Sequence, residues 1–417
     1  MHSISRNLVA PAARRCLYAR HRLDIAPSDL AAGLSAMTAS DPQRAAADLE
    51  RLWSPRGQAL ATYSVRSGFH LLLSTLKLAP GSEVMFSAVT HPDMPRLAVH
   101  HGLVPVPVDL ERGTLAPRPD SLTRALTPRT RILVVAHLFG GLADLDLAWE
   151  ICESRGVLLV EDCAQAFRGP LDTGNPLADV SLFSFGMLKT ATALGGALLT
   201  VRNASLLKRM REIQATWQTQ RRTSHLKRLM QASAFIGLTR PAPYALLARA
   251  AGEDFDRKVN SAVRAFPAAG TDDLVRRLEQ RPGAPLLRLL EHRLQSFDYA
   301  RLDARALCGE RLAAMLPPGM QIGGRAVDHT HWLFPVSAPD PARLIDAVRA
   351  AGFDAARKAS SVSTIAAPAD RPELEPLRAR EAMSRLVFLP AYPELPSGSL
   401  ERIANAVASE VYAHAAA

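Results

Sequence analysis

Between Tyr63 and Val201 short apolar runs alternate with helix-forming stretches, and this alternation limits what the chain can fold into. Glu83-Val84-Met85-Phe86, Val104 to Val108, Arg131 to Ala136, Val157 to Val160, Ser181 to Phe185 and Ala197 to Val201 read as strands. Phe69 to Leu78, Asp120 to Leu126 and Leu145 to Ser154 read as helices between them. Apolar runs of four to six residues are buried on both faces, so the pattern predicts an α/β fold with a mostly parallel sheet between helices. Pro105 and Pro107 within Val104 to Val108 predict an edge or distorted strand, because proline cannot donate to the ladder.

After Val201 the pattern changes. Ser205 to Gln218 and His225 to Ile236 read as helices, broken by Gly237, Pro241 and Pro243. A long helix is expected over Leu286 to Met315, a strand over His331 to Val336 and a helix over Ala342 to Ala351. A strand over Arg385 to Leu389 and a last helix over Ser399 to Ala413 complete a smaller α+β domain. With 417 residues the chain has room for two domains.

Composition excludes several classes. The four cysteines, Cys16, Cys152, Cys163 and Cys308, lack metal-ligand or disulfide spacing, so a reducing, cytoplasmic setting without a metal is expected. No segment has the roughly 18 uninterrupted apolar residues of a membrane span. The Arg-rich first twenty residues read as a polar arm, with a transit-peptide-like leader as the alternative. Of the net charge of +10, the stretch Arg202 to Arg249 holds ten basic residues against one acid, Glu212. Leu226, Leu229, Met230, Phe235, Ile236 and Leu238 stand among those charges. Such a segment suits either a helix at an anionic membrane surface or a helical cover on the protein's own core or a dimer partner. Nucleic-acid binding ranks last, since stacking aromatics and any recognised module are missing.

Chemistry is concentrated where strands end. Asp162 follows the run Val157 to Val160, and Lys189 follows Phe183-Ser184-Phe185-Gly186-Met187-Leu188. A carboxylate closing a buried strand, then a lysine after a small-residue turn, is the pair that pyridoxal phosphate (PLP) chemistry requires. The amine holds the cofactor aldehyde and the acid keeps the pyridine nitrogen protonated. His91, His137 and Ser184 also lie at or near strand ends, the edge where open parallel sheets bind ligands. Ser67-Gly68, ahead of Phe69 to Leu78, offers backbone N–H groups for a phosphate or simply caps the helix. His137 has an equally open reading as a satisfied structural histidine.

Six segments in order resemble the DegT/DnrJ/EryC1/StrS family of PLP-dependent sugar aminotransferases, fold type I. They are Ser67-Gly68-Phe69, Pro80-Gly81-Ser82-Glu83-Val84, Ala136 through Asp146, Glu161 through Gly169, Phe183 through Gly196, and Leu389 through Leu395. The resemblance implies a seven-stranded type of sheet and a homodimer with ping-pong transfer of an amino group, from glutamate, to a keto group of a sugar nucleotide or a related metabolite; a lipid-linked acceptor is expected only if the basic segment touches a membrane. Such reactions belong to polysaccharide or natural-product biosynthesis. It further implies that Lys189 binds the cofactor and moves the proton, Asp162 pairs with the ring nitrogen, and Gln165 bonds the ring hydroxyl. His91 would stack on the ring, and Ser67, Gly68 and Ser184 would bind the phosphate. The alternatives are another PLP reaction on the same scaffold, or a catalytically silent regulatory member.

There are departures from the pattern. Phe69 stands where the family has threonine. Arg281 supplies the arginine of an element that reaches the partner subunit, without its asparagine. Ala359-Ser360-Ser361 replaces the substrate-side motif. Lys189 itself argues against the deoxygenating branch, which carries histidine there. The domain expectation is an N-terminal arm with helices over 1–60 and a PLP-binding domain over 61–203. A basic helical insertion over 204–265 follows, with peripheral membrane contact through 204–250 as one reading. A connecting helix with the small domain takes 266–417.

Overall fold

A computed structural model describes residues 16–262, 271–357 and 361–415; the first fifteen residues of the arm lie outside it. Helices α1 (Pro27–Ser35) and α2 (Pro42–Trp53) precede the sheet region. There follow β1 (Ala59–Thr62), α3 (Val65–Leu76), β2 (Glu83–Ser87), β3 (Val89–Thr90), α4 (Asp93–His100) and β4 (Val104–Val108). The region closes with α5 (Pro119–Ala125), β5 (Thr130–Ala136), α6 (Asp146–Arg155), β6 (Leu158–Asp162), β7 (Val180–Ser184) and β8 (Ala197–Val201).

Seven strands form one sheet in the order β1-β8-β7-β6-β5-β2-β4. From β4 to β7 neighbouring strands are parallel, and β8 is antiparallel to both β7 and β1. The proline-bearing β4 is at the edge, as the missing donors of Pro105 and Pro107 require. Side chains alternate between the faces. Val84, Phe86, Ile132, Val134 and Val160 enter one apolar cluster, whereas Met85, Leu133, Val135 and Leu159 enter another. Near β8 a third cluster gathers Trp53, Phe183, Phe185, Leu286 and Leu290. Trp53 also donates from its indole N–H to Thr200 Oγ1 at 3.0 Å, so its one polar atom is satisfied inside the core.

The rest of the chain comprises α7 (Ala204–Ala215), β9 (Gln218–Thr219), α8 (Arg222–Leu238), α9 (Pro241–Ala251), α10 (Phe255–Ala262) and α11 (Thr271–Leu278). Then come β10 (Gln280–Arg281), α12 (Ala284–Gln295), α13 (Tyr299–Met315), β11 (Phe334–Ser337), α14 (Pro341–Ala350), β12 (Ser363–Thr364), α15 (Leu377–Ser384), β13 (Leu386–Leu389) and α16 (Ser399–Ala415). Strands β11 and β13 pair antiparallel over a small core that includes Phe334, Val336, Val348, Val387 and Ile403. Strand β12 pairs with β3, which ties the C-terminal part to the start of the site.

Two expectations are corrected here. The single helix over Leu286 to Met315 is two helices, because Asp298 caps the second by accepting from Arg301 N–H at 2.9 Å. Phe297, in the break, packs against Phe167 and Tyr299. The strand expected from His331 begins only at Phe334, because His331 takes a left-handed backbone (φ 46) and turns the chain.

The basic helices do not lie free. On α8, His225, Leu229, Ala232 and Phe235 are buried, and Leu229 and Phe235 join the cluster around Trp53. Leu226, Met230, Leu238 and, on α9, Leu246 remain exposed beside Lys227 and Arg240. The apolar residues of this stretch are thus divided between the protein's own core and an outer face. Tyr244 on α9 donates to Asp354 at 2.6 Å, and Arg20 pairs with Asp354 and Asp256, anchoring α9 and α10 to the small core.

Candidate active site

Parallel strands deliver their carboxyl ends to one edge, and there a cavity of about 550 Å³ opens. Asp162 ends β6, Ser184 ends β7, and His91 follows β3 directly. All three line the cavity together with Gln165, His137 and Lys189. Six of the residues singled out in the sequence are therefore brought to one space.

Lys189 reaches it on a turn closed by its own N–H to the Gly186 carbonyl at 2.9 Å. The next residues are pinned from outside. Arg305 donates to Thr190 Oγ1 at 3.1 Å, Asp24 accepts from Ala191 N–H at 2.7 Å, and Arg293 donates to the Thr192 carbonyl at 3.2 Å. The Lys189 ammonium lies 4.0 Å from the centre of the Trp332 ring, and the Trp332 indole N–H donates to the Leu188 carbonyl at 2.8 Å. Burial lowers the Lys189 pKa from 10.5 to about 8 against the opposing pull of Asp162. Burial also raises the Asp162 carboxyl, which Ala164 N–H and Lys189 only partly offset. A buried carboxylate so placed is short of positive charge.

Its neighbour Glu161 points the other way, as strand alternation dictates. Glu161 accepts from Ser181 Oγ at 2.5 Å and from Asn175 N–H at 2.6 Å, and it bonds His137 Nε2 at 3.0 Å. His137 Nδ1 accepts from Ala143 N–H at 3.0 Å, so Nε2 carries the proton and donates to Glu161. Both ring nitrogens are thereby engaged with protein, which fits the structural reading of His137 and leaves no nitrogen for a substrate. The ligand atoms of His137, Glu161 and Cys163 lie within 4.8 Å of one another, and these hydrogen bonds account for the histidine and the acid.

Other sites shift or separate. Helix α3 starts one turn before the expected position. Ser64 is its N-cap and accepts from Ser67 N–H at 3.1 Å. Ser67 is buried against Ser64 Oγ, and a side chain on Gly68 would strike Leu199, so these two serve helix packing. Ser64, Val65 and Arg66 instead line the cavity, where the N–H groups of a first turn face outward. The signal was present: Ser64 follows the apolar Ala59 to Ala61 and stands three residues before Ser67. Gln165 Oε1 accepts from Phe139 N–H at 3.0 Å, which fixes its carboxamide in the wall. His91 Nδ1 accepts from Asp93 N–H at 3.2 Å, and burial with the nearby Arg66 lowers its pKa to about 4. Its ring is therefore neutral at ordinary pH. Arg281 lies on β10, outside the residues that line this cavity, where Arg277 appears instead. Ala359 and Ser360 lie outside the described residues, whereas Ser361 and Ser363 are in the wall.

Sequence reasoning missed Trp332, Asp93 and the contributions of α8 to α10. Asp93 accepts from Arg66 at 2.7 Å and from Arg96 at 3.0 Å, holding both guanidinium groups at the rim. Arg228, Phe235, Thr239 and Tyr244 bring α8 and α9 into the wall.

The donor set suits PLP on the structure's own terms. An amine whose pKa is lowered to about 8 shares the cavity with a carboxyl that burial raises, and the first turn of α3 opens onto the same space. Thr90 Oγ1, in the same wall, is buried without a hydrogen-bond partner among the described residues. Lys189, Asp162, Gln165, Ser184 and the Ser64 turn are the residues that would hold the cofactor.

Comparison with known proteins agrees. Residues 48–240 match the model of the DegT/DnrJ/EryC1/StrS aminotransferase family. The aminotransferase TlmJ from Streptoalloteichus hindustanus shares the fold with a TM-score of 0.67 at 18% identity, over 96% of this chain and 99% of that one. NtdA from Bacillus subtilis, solved with bound pyridoxamine phosphate (PMP), gives 0.65 at 17% identity over 93% of this chain and 83% of its own. The sugar aminotransferase CalS13 from Micromonospora echinospora gives 0.63 at 18% identity over 93% and 98%. Over residues 48–240 this chain is thus similar to the DegT/DnrJ/EryC1/StrS aminotransferase family, and its fold is that of the solved aminotransferases.

Proposed function

We propose that this chain moves an amino group from an amino-acid donor, glutamate, to a keto group of a sugar nucleotide or related metabolite, in two half-reactions at one site. The observation that carries this reading is the Lys189 amine, lowered to about 8, in the same cavity as the buried Asp162 carboxyl. When bound, PLP supplies an aldehyde that captures the amino group and a ring that accepts the electrons of the adjacent carbanion.

The residues divide the remaining work. Lys189 would hold the cofactor through its amine and, in its neutral form, would serve as the base that moves the proton at the reacting carbon. With a pKa of about 8, about one molecule in ten has a neutral lysine at pH 7. Asp162 would keep the ring nitrogen protonated. The neutral imidazole of His91 would pack on the ring, and Trp332 would keep water from the amine. Gln165 would bond the ring hydroxyl, and Ser184 with the Ser64 turn would bind the phosphate.

A carbohydrate acceptor is supported by the description of CalS13 as a sugar aminotransferase. The working unit in this proposal is a homodimer, with Arg281 serving the partner's site. The outer face of α8 and α9, where Met230 and Leu246 stand beside Lys227 and Arg240, rests peripherally on an anionic membrane surface. No helix among the described residues is long and apolar enough to cross a membrane. Incubating purified protein with PLP and glutamate, then with candidate keto sugars, tests the reading by product mass. Turnover absent for every keto compound despite conversion of glutamate to its keto acid would refute the acceptor class.

A further inference from the structure

We infer that Arg228, carried by the basic helix α8, binds the cofactor's phosphate from within the same chain. This rests on the PLP reading above. Arg228 Nη1 donates to the Leu194 carbonyl at 2.6 Å, and Nη2 donates to the Tyr63 hydroxyl at 3.1 Å. The guanidinium carbon lies 5.6 Å from the centre of the Tyr63 ring. Tyr63 precedes the Ser64 cap directly, and Leu194 precedes Gly195-Gly196. Arg228, Tyr63, Ser64, Gly195, Gly196 and Ser184 all line the one cavity. The fork is thus fastened between the turn at Ser64 and the Gly195–Gly196 segment, both in the cavity wall.

The fit explains a glycine. A Cβ on Gly195 would lie 2.5 Å from Arg228 Nη1, so residue 195 has no side chain because the guanidinium occupies that space. Gly196 has a different reason, a φ of +82.

Charge makes the case. The phosphate of PLP carries between one and two negative charges, and the donors already placed around it are neutral: first-turn N–H groups and the Ser184 hydroxyl. A helix N-terminus adds only about half a positive charge. Arg66 stands close but is held by Asp93. Arg228 pairs with no carboxylate among the described residues. Its two contacts use two of five N–H donors, and the planar fork suits phosphate oxygens. The excess charge of Arg202 to Arg249 therefore has an inward use at one position.

The test compares PLP with pyridoxal, which has the same ring and aldehyde but no phosphate. Cofactor-free wild type, Arg228→Gln and Arg228→Lys are titrated with each compound by absorbance and fluorescence. Arg228→Gln keeps a donor for Leu194 and loses the charge. The expected result is PLP binding weakened about 10- to 100-fold in Arg228→Gln, the range for a charge-assisted hydrogen bond, and less in Arg228→Lys. Pyridoxal binding stays unchanged in all three. The ratio of the two affinities cancels general damage to the fold, so a destabilised variant still reports. Equal weakening of PLP and pyridoxal, or unchanged PLP binding in Arg228→Gln, overturns the inference. A wild type that binds neither compound would instead overturn the family reading on which it rests.

Discussion

Lys189→Met should stabilise the cofactor-free protein at neutral pH. In the folded chain burial holds the amine at about 8, against 10.5 in the unfolded chain. Below both values each state carries the charge, and folding must bury it. The gap between 10.5 and about 8, at roughly 1.4 kcal/mol per pH unit, amounts to about 3 kcal/mol against the wild type. The sign follows from proton counts. Between about 8 and 10.5 the unfolded state binds more protons, so wild-type stability rises with pH across that window. Above it the contribution vanishes. Methionine has similar length and no charge, so the variant escapes the penalty. Urea unfolding of the two cofactor-free proteins should show an advantage for Lys189→Met of about 3 kcal/mol at pH 7, shrinking to about 1–2 kcal/mol at about pH 9.5. An advantage independent of pH, or a less stable variant at pH 7, would refute the claim that burial depresses this amine. The result would also show stability given up for a reactive group.

Other outcomes follow from the same contacts. Asp162→Asn should still bind PLP but lose about 100-fold or more in kcat, the scale for removing one fixed charge from a developing transition state; near-normal turnover would deny it the ring nitrogen. Gly195→Ala drives a methyl group to within 2.5 Å of Arg228, so it should weaken PLP binding in the manner of Arg228→Gln and destabilise by about 1–3 kcal/mol. Calorimetry and cofactor titration would report both, and an unchanged protein would remove the packing argument. Replacing Met230, Leu246 and Lys227 by serine should abolish co-sedimentation with anionic liposomes while leaving the wild type bound. A wild type that stays in the supernatant would sink the membrane contact.

The fold was legible where burial forces a pattern. Runs such as Ile132 to Val135 must be apolar on both faces, and Pro105 with Pro107 could only be tolerated at an edge. The meeting of Asp162 and Lys189 in one cavity was legible because the apolar runs mark where strands end. The start of α3 was expected one turn late because Ser64 and Ser67 each resemble a cap, and only the observed hydrogen bond distinguishes them. Trp332 was hidden inside an apparent strand, since nothing in His331-Trp332-Leu333 announces the left-handed φ that turns the indole toward Lys189. Arg228 was one of ten similar charges. Its inward direction arises because Leu229, Ala232 and Phe235 bury one face of α8, a tertiary choice that periodicity alone does not orient.

The central claim, that Lys189 and Asp162 form a working PLP site, is tested most directly by the absorbance spectrum of the purified protein with PLP, before and after adding glutamate, beside Lys189→Ala. The account predicts a near-visible band of lysine-bound cofactor, lost on adding glutamate and absent from the variant. No band in the wild type after adding PLP, or the same band in Lys189→Ala, would contradict it.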